Sequence, residues 1–596
     1  MQFLASKSPS RPAAPPAPVL DVVLYAAGFA LASGLAYWLI QLIRGKVLGQ
    51  FVWVSPDAVW MAPLAYLALF IPLVLPAWAA ARIRGGAPLA AGGFAWLSVF
   101  SLLLPFPQIA RWAAAILATG VALQVARAVR ASGPRRRFGA IACLAMAGFA
   151  TLGAGVRLTI DGLARRQALG RLPSAPAGAP NVLLIVWDTV REENLSLHGH
   201  DRPTTPTLER LAATSAVFER AIATAPWTLP SHGTLFTGHY GEELGTHWRR
   251  PLAAGVPTLA EIFSRHGYRT GGFVANLLYT SRESGLGRGF IDYRDYRVSP
   301  RLVLQHSPIA QTGSFRRLLT ARSMRDVRRA FTAGGLVTGR LPADDVVPAH
   351  TVTDDFLRWQ ASLDGRPFLA FLNYFDAHGP YRAPDSVRQR LGLSSRPEDR
   401  YDAAIAHLDG ELAHLLEALV QRGALERTIV VVTSDHGELF GEHGLTGHAN
   451  ALYLPLLRVP LLIRYPAAVP GGVRVGAAVS LRDVAATITG LAGLEPDPAP
   501  PGQSLASHWT GGNGPGSAIV AELGQGMNVD STFPNARTDL ASIMDQRYHY
   551  IRDGLGAEQL FDYLADPAEA TNLSRVPAEA ETLRRLRRSL DSVVRR

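Results

Sequence analysis

The densest group of side chains able to do chemistry is TSDHGELFGEHGLTGHAN (433–450), which places Asp435, His436, Glu438, Glu442, His443 and His448 within 18 residues. Carboxylate and imidazole donors on one glycine-rich segment suit a divalent cation: Mn, Ca, Mg or Zn, according to number and geometry. Asp435 directly follows the apolar run IVVVTS, so a strand pins it in place. Two other apolar runs end the same way, with Asp188 after NVLLIVW and with Asp376 and His378 closing PFLAFLNYFDAH. A different signal lies in APWTLPSHGTLFTG (225–238), where Thr228 precedes a proline at the mouth of a helix. Locally this reads as a helix cap, because Thr is favoured at that position and Pro in a first turn. Chemically it reads as an alcohol nucleophile. A cation that lowers the pKa of an attached hydroxyl can activate it, and the helix N-terminus directs N–H groups at the developing negative charge. His378 or His448 can then protonate the leaving oxygen.

These residues need a scaffold. Runs such as NVLLIVWD (181–188), GGFVAN (271–276), RTIVVVTSDHGE (427–438) and VPLLIRYP (459–466) have the continuous apolar character of strands buried on both faces of a parallel sheet. Helical patterns separate them, so the spacing predicts a doubly wound α/β sheet, in which ligands bind at the carboxyl ends of the strands. The basic ending RRLRRSLDSVVRR reads as an exposed terminal helix.

The first 160 residues are of another kind. Uncharged runs extend from Val22 to Ile43, Ala58 to Ala81 and Gly85 to Ala110, each longer than the roughly 20 residues a helix needs to cross hydrocarbon. Phe138 to Val156 is a shorter fourth run, and the apolar stretch between Arg111 and Arg127 makes a fifth span if its arginines reach the interfaces. The recurrence of apolar runs argues against a removable signal peptide. With the N-terminus in the cytoplasm, Lys7, Arg11, Arg82, Arg84, Arg127, Arg130, Arg135, Arg136 and Arg137 lie inside, against Arg44, Lys46 and Arg111 in the outer loops; Arg157, Arg165, Arg166 and Arg171 after the last span narrow the contrast without reversing it. The positive-inside rule favours that orientation, which puts everything after residue 160 outside the cytoplasm, as in a multi-pass inner-membrane protein. The expected division is a transmembrane bundle of about five helices (1–165), a Pro/Ala/Gly linker (166–180), a catalytic α/β domain (181–515) and a C-terminal subdomain with the terminal helix (516–596).

Composition narrows the partners. Hydrophobic residues make up 48% of the 596, and the formal charge is +11 with many arginines flanking apolar segments. A lipid bilayer is therefore the expected partner, and no zinc-finger or RNA-binding signature points to nucleic acid. The single cysteine, Cys143, lies in an apolar run, which excludes intrachain disulfides, thiolate metal sites and a cysteine nucleophile in the soluble part. Residues 314–340 hold seven arginines and one aspartate among apolar residues at helical spacing, a pattern suited either to anionic head groups or to a solvated lid.

From 181 to about 574 the chain resembles the sulfatase branch of the alkaline phosphatase superfamily. The resemblance rests on NVLLIVWDTVREENLSLHGHDRPTTPTLERLA, WTLPSHGTLFTG, FDAHGPY, SDHGELFGEHGLTGHAN with LLRVPLLIRYP, VSLRDVAATITGLAG and LFDYLADPAEATNL, in that order. It implies an alkaline-phosphatase-like sheet with a small C-terminal α+β subdomain. It further implies one divalent metal ion, with room for a second near Asp376 and His448. Asp188, Asp435, His436 and the Thr228 hydroxyl would be the ligands, and Thr228 the nucleophile. His378 and His448 fall where the family places groups around the sulfate or phosphate, His232 where sulfatases usually carry arginine, and Asn276 at a contact to the ester oxygens. Typical sulfatases carry cysteine or serine at the position of Thr228 and convert it to formylglycine, which threonine cannot become. Thr189 stands where many have a second aspartate. Both departures are similar to the threonine-using relatives, among them phosphodiesterases, lipoteichoic acid synthases and phosphoethanolamine transferases; the last two also carry an N-terminal membrane domain. The expectation is a membrane-bound hydrolase or transferase acting on an anionic, phosphate-type ester, with lipid- and glycan-linked esters both within that class. Its alternatives are a sulfuric ester hydrolase without formylglycine and an inactive sulfatase-like scaffold.

Overall fold

A computed structural model describes residues 18–48, 52, 55–83, 86–106, 108–132, 136–246, 248, 250–295, 299–310, 312, 347–510, 518–526 and 529–594. The basic segment 314–340 lies outside the described residues. The chain divides into two compact units, one of residues 1–164 with 297–340, the other of 165–296 with 341–596.

The first unit is helical. Helices α1 (Val19–Leu42), α2 (Ala58–Phe70), α3 (Val74–Ile83), α4 (Gly86–Leu103), α5 (Arg111–Ser132) and α6 (Arg136–Arg171) supply five stretches long and apolar enough to cross a membrane, α2 and α3 together forming one. Helix α4 is shorter than its apolar run because the residues beyond Leu103 lead directly into Pro105, and a proline disfavours helix in the residue before it. The segment after Arg111 is a continuous helix of 22 residues. Helices α1 and α2 cross closely: a Cβ on Gly34 would sit 2.3 Å from the Pro63 backbone. Arg136, the first residue of α6, donates to Asp21 near the start of α1 at 2.6 Å, so both helices begin at one level of the bundle.

The second unit is built on an eight-stranded sheet. Its strands are β1 (Asn181–Trp187), β2 (Ala216–Ile222), β3 (Arg269–Val274), β4 (Asp292–Arg294), β5 (Phe368–Tyr374), β6 (Thr428–Thr433), β9 (Arg458–Arg464) and β10 (Val473–Ser480); β7 (Leu439–Phe440) and β8 (Thr446–Gly447) form a small hairpin. The order is β10-β2-β9-β6-β1-β5-β3-β4. Every residue of β1 is buried, with Val182, Leu184 and Val186 entering one core and Leu183, Ile185 and Trp187 the other, as the period of a strand requires. Helix α7 (Pro206–Ala212) follows β1, and helix α8 (Thr228–Thr237) follows β2, burying Leu229, Leu235 and Phe236 in the first core. The helices Ala349–Ala361 and Pro397–Gln421 cover the opposite face through Phe356, Trp359, Tyr401 and Leu412.

The sheet is mixed, which corrects the expectation of a parallel, doubly wound one. Strand β9 runs antiparallel to both β6 and β2. A run buried on both faces is equally apolar in either direction, so VPLLIRYP carries no mark of its orientation. The reversal is possible because β6 connects to β9 through a loop with a hairpin, without the helical crossover that a parallel neighbour needs. A second, antiparallel sheet of β11 (Ile519–Leu523), β12 (Leu540–Met544), β13 (Tyr548–Asp553) and β14 (Glu558–Asp562) packs against the helix Ala580–Val594. Leu583, Leu586 and Leu590 form the buried stripe of that helix, so the basic ending is docked along one face.

Candidate functional site

Strands β1, β5, β6 and β3 run parallel, so their carboxyl ends open on one edge of the sheet. Asp188 follows β1, Asn276 lies just past β3, His378 lies beyond β5, and Asp435 and His436 follow β6. Thr189, directly after Asp188, holds a left-handed φ of 65°. Such strain in a threonine persists only where the surroundings impose it. Here the Thr189 N–H donates to Asp435 Oδ1 at 3.2 Å and the His436 N–H to the same oxygen at 3.0 Å. Gly437 is required by close approach, since a Cβ there would lie 2.0 Å from the Pro455 carbonyl oxygen.

These constraints aim three atoms at one another. Asp188 Oδ1, Asp435 Oδ2 and His436 Nε2 are buried without a hydrogen-bond partner, and the three residues can offer ligand atoms that all lie within 4.8 Å of one another. His436 Nε2 stands 3.5 Å from Asp435 Oδ2 and 3.9 Å from Asp188 Oδ1. Ligands about 2.0–2.2 Å from a common ion are separated by distances of this order. His436 Nδ1 lies 2.9 Å from the Gly437 carbonyl oxygen, which assigns the proton to Nδ1 and leaves the Nε2 lone pair facing the carboxylates.

The electrostatics agree. Burial and the neighbouring Asp435 carboxylate push Asp188 up to about 8. Burial acts the same way on Asp435, but His436 and His232 beside it hold its pKa below the ordinary carboxylate range. Two facing buried carboxylates resist carrying two charges unless a cation joins them. Burial lowers His436 to about 4, the neutral form that a metal ligand requires. The donor set, its orphaned atoms and its charge therefore fit a divalent cation.

Thr228 is not a cap. It is the first residue of α8; Trp227 occupies the capping position and makes no side-chain cap bond. The Thr228 side chain instead meets Asn276, whose Nδ2 donates to Thr228 Oγ1 at 3.2 Å and to Asp188 Oδ2 at 2.8 Å. Asn276 thus couples the hydroxyl to the carboxylate cluster. His232, one turn along α8, is fully buried with Nδ1 2.9 Å from the Thr228 carbonyl oxygen and 3.3 Å from Asp435 Oδ2.

His448 packs between His436 and His378, with ring centroids 4.7 Å and 4.9 Å away, and its Nδ1 lies 3.1 Å from Glu438 Oε1. Burial opposes protonation of His448, but Glu438 raises its pKa. His378, stacked on Phe375, is lowered to about 3 by burial and by His448. Other members of the sequence cluster point away. Glu442 accepts from Arg191 NH1 at 2.6 Å, and His443 stacks on Tyr453 with centroids 3.6 Å apart. Asp376 Oδ1 accepts from the Ala349 N–H at 3.3 Å, anchoring a helix. Among the described residues it belongs to neither cluster of three acid or histidine ligands. The second such cluster, Glu192, His198 and Glu219, is tied up by Arg458 and Arg474. Sequence reasoning overlooked an aromatic group beside Thr228: Trp227 stacks on Trp248 at 4.2 Å, with Tyr279 edge-on at 5.2 Å. The tryptophan next to the threonine was its sole local signal.

Solved structures share this fold. The phosphonate monoester hydrolase of Agrobacterium radiobacter matches with a TM-score of 0.53 and 22% identity, covering 69% of this chain and 95% of that one. The model of the family described as Sulfatase matches residues 180–494. The chain belongs to the sulfatase family and is an ester hydrolase of that family. Among curated relatives, the ulvan-active sulfatase of Formosa agariphila is 26% identical over 438 residues, 68% of this chain and 78% of that protein. The choline-sulfatase of Rhizobium meliloti is 24% identical over 449 residues, 67% of this chain and 83% of that protein. Sulfatase-family enzymes use a divalent metal ion.

Proposed function

We propose that this protein is a membrane-anchored, metal-dependent hydrolase or transferase that cleaves a phosphate-type ester through Thr228. One observation carries the reading: Asn276 bridges the Thr228 hydroxyl and Asp188 at the edge of a buried ligand set whose facing atoms lack hydrogen-bond partners. Asp188, Asp435 and His436 would hold the cation, which when bound supplies Lewis acidity toward the ester and favours ionisation of the Thr228 hydroxyl. By donating to Oγ1, Asn276 occupies one lone pair of the hydroxyl and fixes its direction. The first turn of α8, uncapped by a side chain, offers N–H groups to developing negative charge. His232 positions the start of α8 and Asp435 together. His448, whose pKa Glu438 raises, would hold the proton for the leaving oxygen, while His378, lowered to about 3, lines the approach as a neutral imidazole. Phosphate is favoured over sulfate because the position where typical sulfatases carry a residue convertible to formylglycine holds Thr228, which cannot be so converted. A threonine phosphoester can instead pass its phosphoryl group to water or another alcohol by in-line attack.

Purified full-length protein in detergent, given 4-nitrophenyl phosphomonoester, phosphodiester, phosphonate and sulfate with Mn, Ca, Mg or Zn, tests this. At least one phosphorus ester should turn over ten or more times faster than the sulfate. A clear preference for the sulfate ester would support the sulfuric ester hydrolase and overturn the phosphate reading.

The membrane placement rests on five apolar helices and on nine basic residues in the cytoplasmic segments against three in the outer loops, a contrast that the four arginines after the last span narrow without reversing. The pairing of Arg136 with Asp21 adds to it, because the first and fifth passes of an odd-numbered bundle start on the same side. An alkaline phosphatase reporter fused after Gly178 should be active, and a cytoplasm-dependent fluorescent reporter at the same point dark. The reverse pattern would place the catalytic unit in the cytoplasm.

A further inference from the structure

Beyond β5 the chain builds a second feature that the chemistry at Thr228 does not use. A cavity of about 480 Å³ is lined by Tyr381, Arg382, Asp385, Arg388, Ser395 and Arg400. Its size falls in the range of about 300–1,000 Å³ typical of ligand pockets. Arg382, Arg388 and Arg400 line it with a single carboxylate, Asp385, which is 80% exposed, so the lining is net positive. The arginines are held in place. Arg388 donates to Asp385 Oδ1 and to Ser395 Oγ, each at 2.8 Å, and Arg400 donates to the Tyr381 carbonyl oxygen at 3.3 Å. A guanidinium fixed by neutral and single-carboxylate acceptors keeps donors directed elsewhere, and its planar fork matches the oxygens of phosphate or sulfate.

The cavity is joined to the candidate site by a short, stiff piece of backbone. The Tyr381 N–H donates to the His378 carbonyl oxygen at 3.0 Å, and the Arg382 N–H to the Asp376 carbonyl oxygen at 2.7 Å. Tyr381 itself holds a left-handed φ of 58°, and its ring packs 5.5 Å from both Tyr401 and Phe440. One wall of the cavity therefore starts three residues after the histidine whose ring touches His448.

We infer that this arginine-lined cavity beside His378 is an anion subsite, which takes a second phosphate or sulfate group of a substrate whose ester is cleaved at Thr228. The inference rests on the proposed reading of the Thr228 site and narrows it to substrates carrying two anionic groups separated by the body of one small molecule. Two sources share that chemistry, a sugar bearing two phosphates and a sugar bearing two sulfates, and the same assay separates them.

The test is calorimetric titration of the full-length, Mn-loaded Thr228→Ala protein, which binds without turning ligand over. The probes are fructose 1,6-bisphosphate against fructose 6-phosphate, and glucosamine 2,6-disulfate against glucosamine 6-sulfate. A doubly charged probe should bind on the order of tenfold more tightly than its singly charged partner, the size expected of charge-assisted hydrogen bonds to a held arginine. The advantage should vanish in a protein that also carries Arg388→Gln and Arg400→Gln, with affinity for the singly charged probe unchanged. Preference within the phosphate or the sulfate pair identifies the source. Equal binding of single and double anions in the arginine-intact protein, or an advantage that survives the double substitution, overturns the subsite. Turnover of 4-nitrophenyl esters by the threonine- and arginine-intact protein is read in parallel. If that protein turns over an ester while Thr228→Ala with its arginines intact shows no advantage for the double anion, the subsite alone fails; if it turns over no ester with any metal, the Thr228 reading fails instead.

Discussion

Thr228→Ala should lose turnover by on the order of 10⁴-fold or more, the scale on which enzymes lose rate when their nucleophile is deleted. Thr228→Ser should retain a measurable fraction, because it keeps a hydroxyl at the same carbon. The position of Thr228 in the fold makes the comparison clean. Its side chain caps no helix, and its recorded hydrogen bond is the one accepted from Asn276. Deleting that bond should cost about 1 kcal/mol, so the Ala variant should fold and melt within a few degrees of the unaltered protein. An activated alcohol also becomes covalently modified in the course of the reaction. Mass spectrometry of acid-quenched enzyme should find a phosphoryl adduct on the peptide from Ala225 to Gly238, absent from the Ala variant. If Thr228→Ala turns over substrate near the unaltered rate, threonine catalysis is wrong, and the residue has only a packing role at the start of α8.

The apolar runs that became β1, β5 and β6 were readable because they are buried on both faces, and burial on both faces leaves an unmistakable string of Val, Ile and Leu. The acids at their ends were readable for the same reason, since an Asp closing such a string stands out. What the string does not encode is direction or destination. VPLLIRYP looks alike whether parallel or antiparallel, so β9 was misjudged. Asp376 and Asp188 follow strands of the same kind, yet one turns to the N–H of Ala349, 27 residues earlier, and the other to Asn276. Both partners are distant in sequence, and no local pattern distinguishes them. Within 433–450, Glu438 and Glu442 are four residues apart and were indistinguishable until the β7–β8 hairpin turned one toward His448 and the other toward Arg191. Thr228 shows the opposite failure. A local rule strong enough to predict a cap was shifted by one residue, with Trp227 at the cap and Thr228 inside the helix, facing Asn276. Residue types announced the site, whereas tertiary contacts selected its members.

Asp435→Asn isolates the remaining claim, that Asp188, Asp435 and His436 hold a cation. The substitution is conservative where the fold is concerned: an asparagine Oδ1 can still accept from the N–H groups of Thr189 and His436, as Asp435 Oδ1 does at 3.2 and 3.0 Å. It is radical where the cation is concerned, because Oδ2, a buried oxygen whose nearest ring nitrogens are His232 Nδ1 at 3.3 Å and His436 Nε2 at 3.5 Å, becomes an amide nitrogen that cannot ligate and brings its own hydrogens toward Asp188 and His436. Elemental analysis of the purified variant should therefore find the divalent metal reduced at least tenfold against the unaltered protein. A second readout does not depend on activity. Ligand binding stabilises a fold by mass action, about 2.7 kcal/mol at a hundredfold excess over Kd. A chelator should thus lower the melting temperature of the metal-loaded unaltered protein by several degrees and leave that of Asp435→Asn unmoved. The metal-free variant should also melt no lower than the metal-free unaltered protein, since removing one of two facing buried carboxylates relieves the repulsion that pushes Asp188 up to about 8. Unchanged metal content in Asp435→Asn, or an equal response of both proteins to the chelator, would mean that the three residues form a buried polar cluster and that the cation, if bound, sits elsewhere.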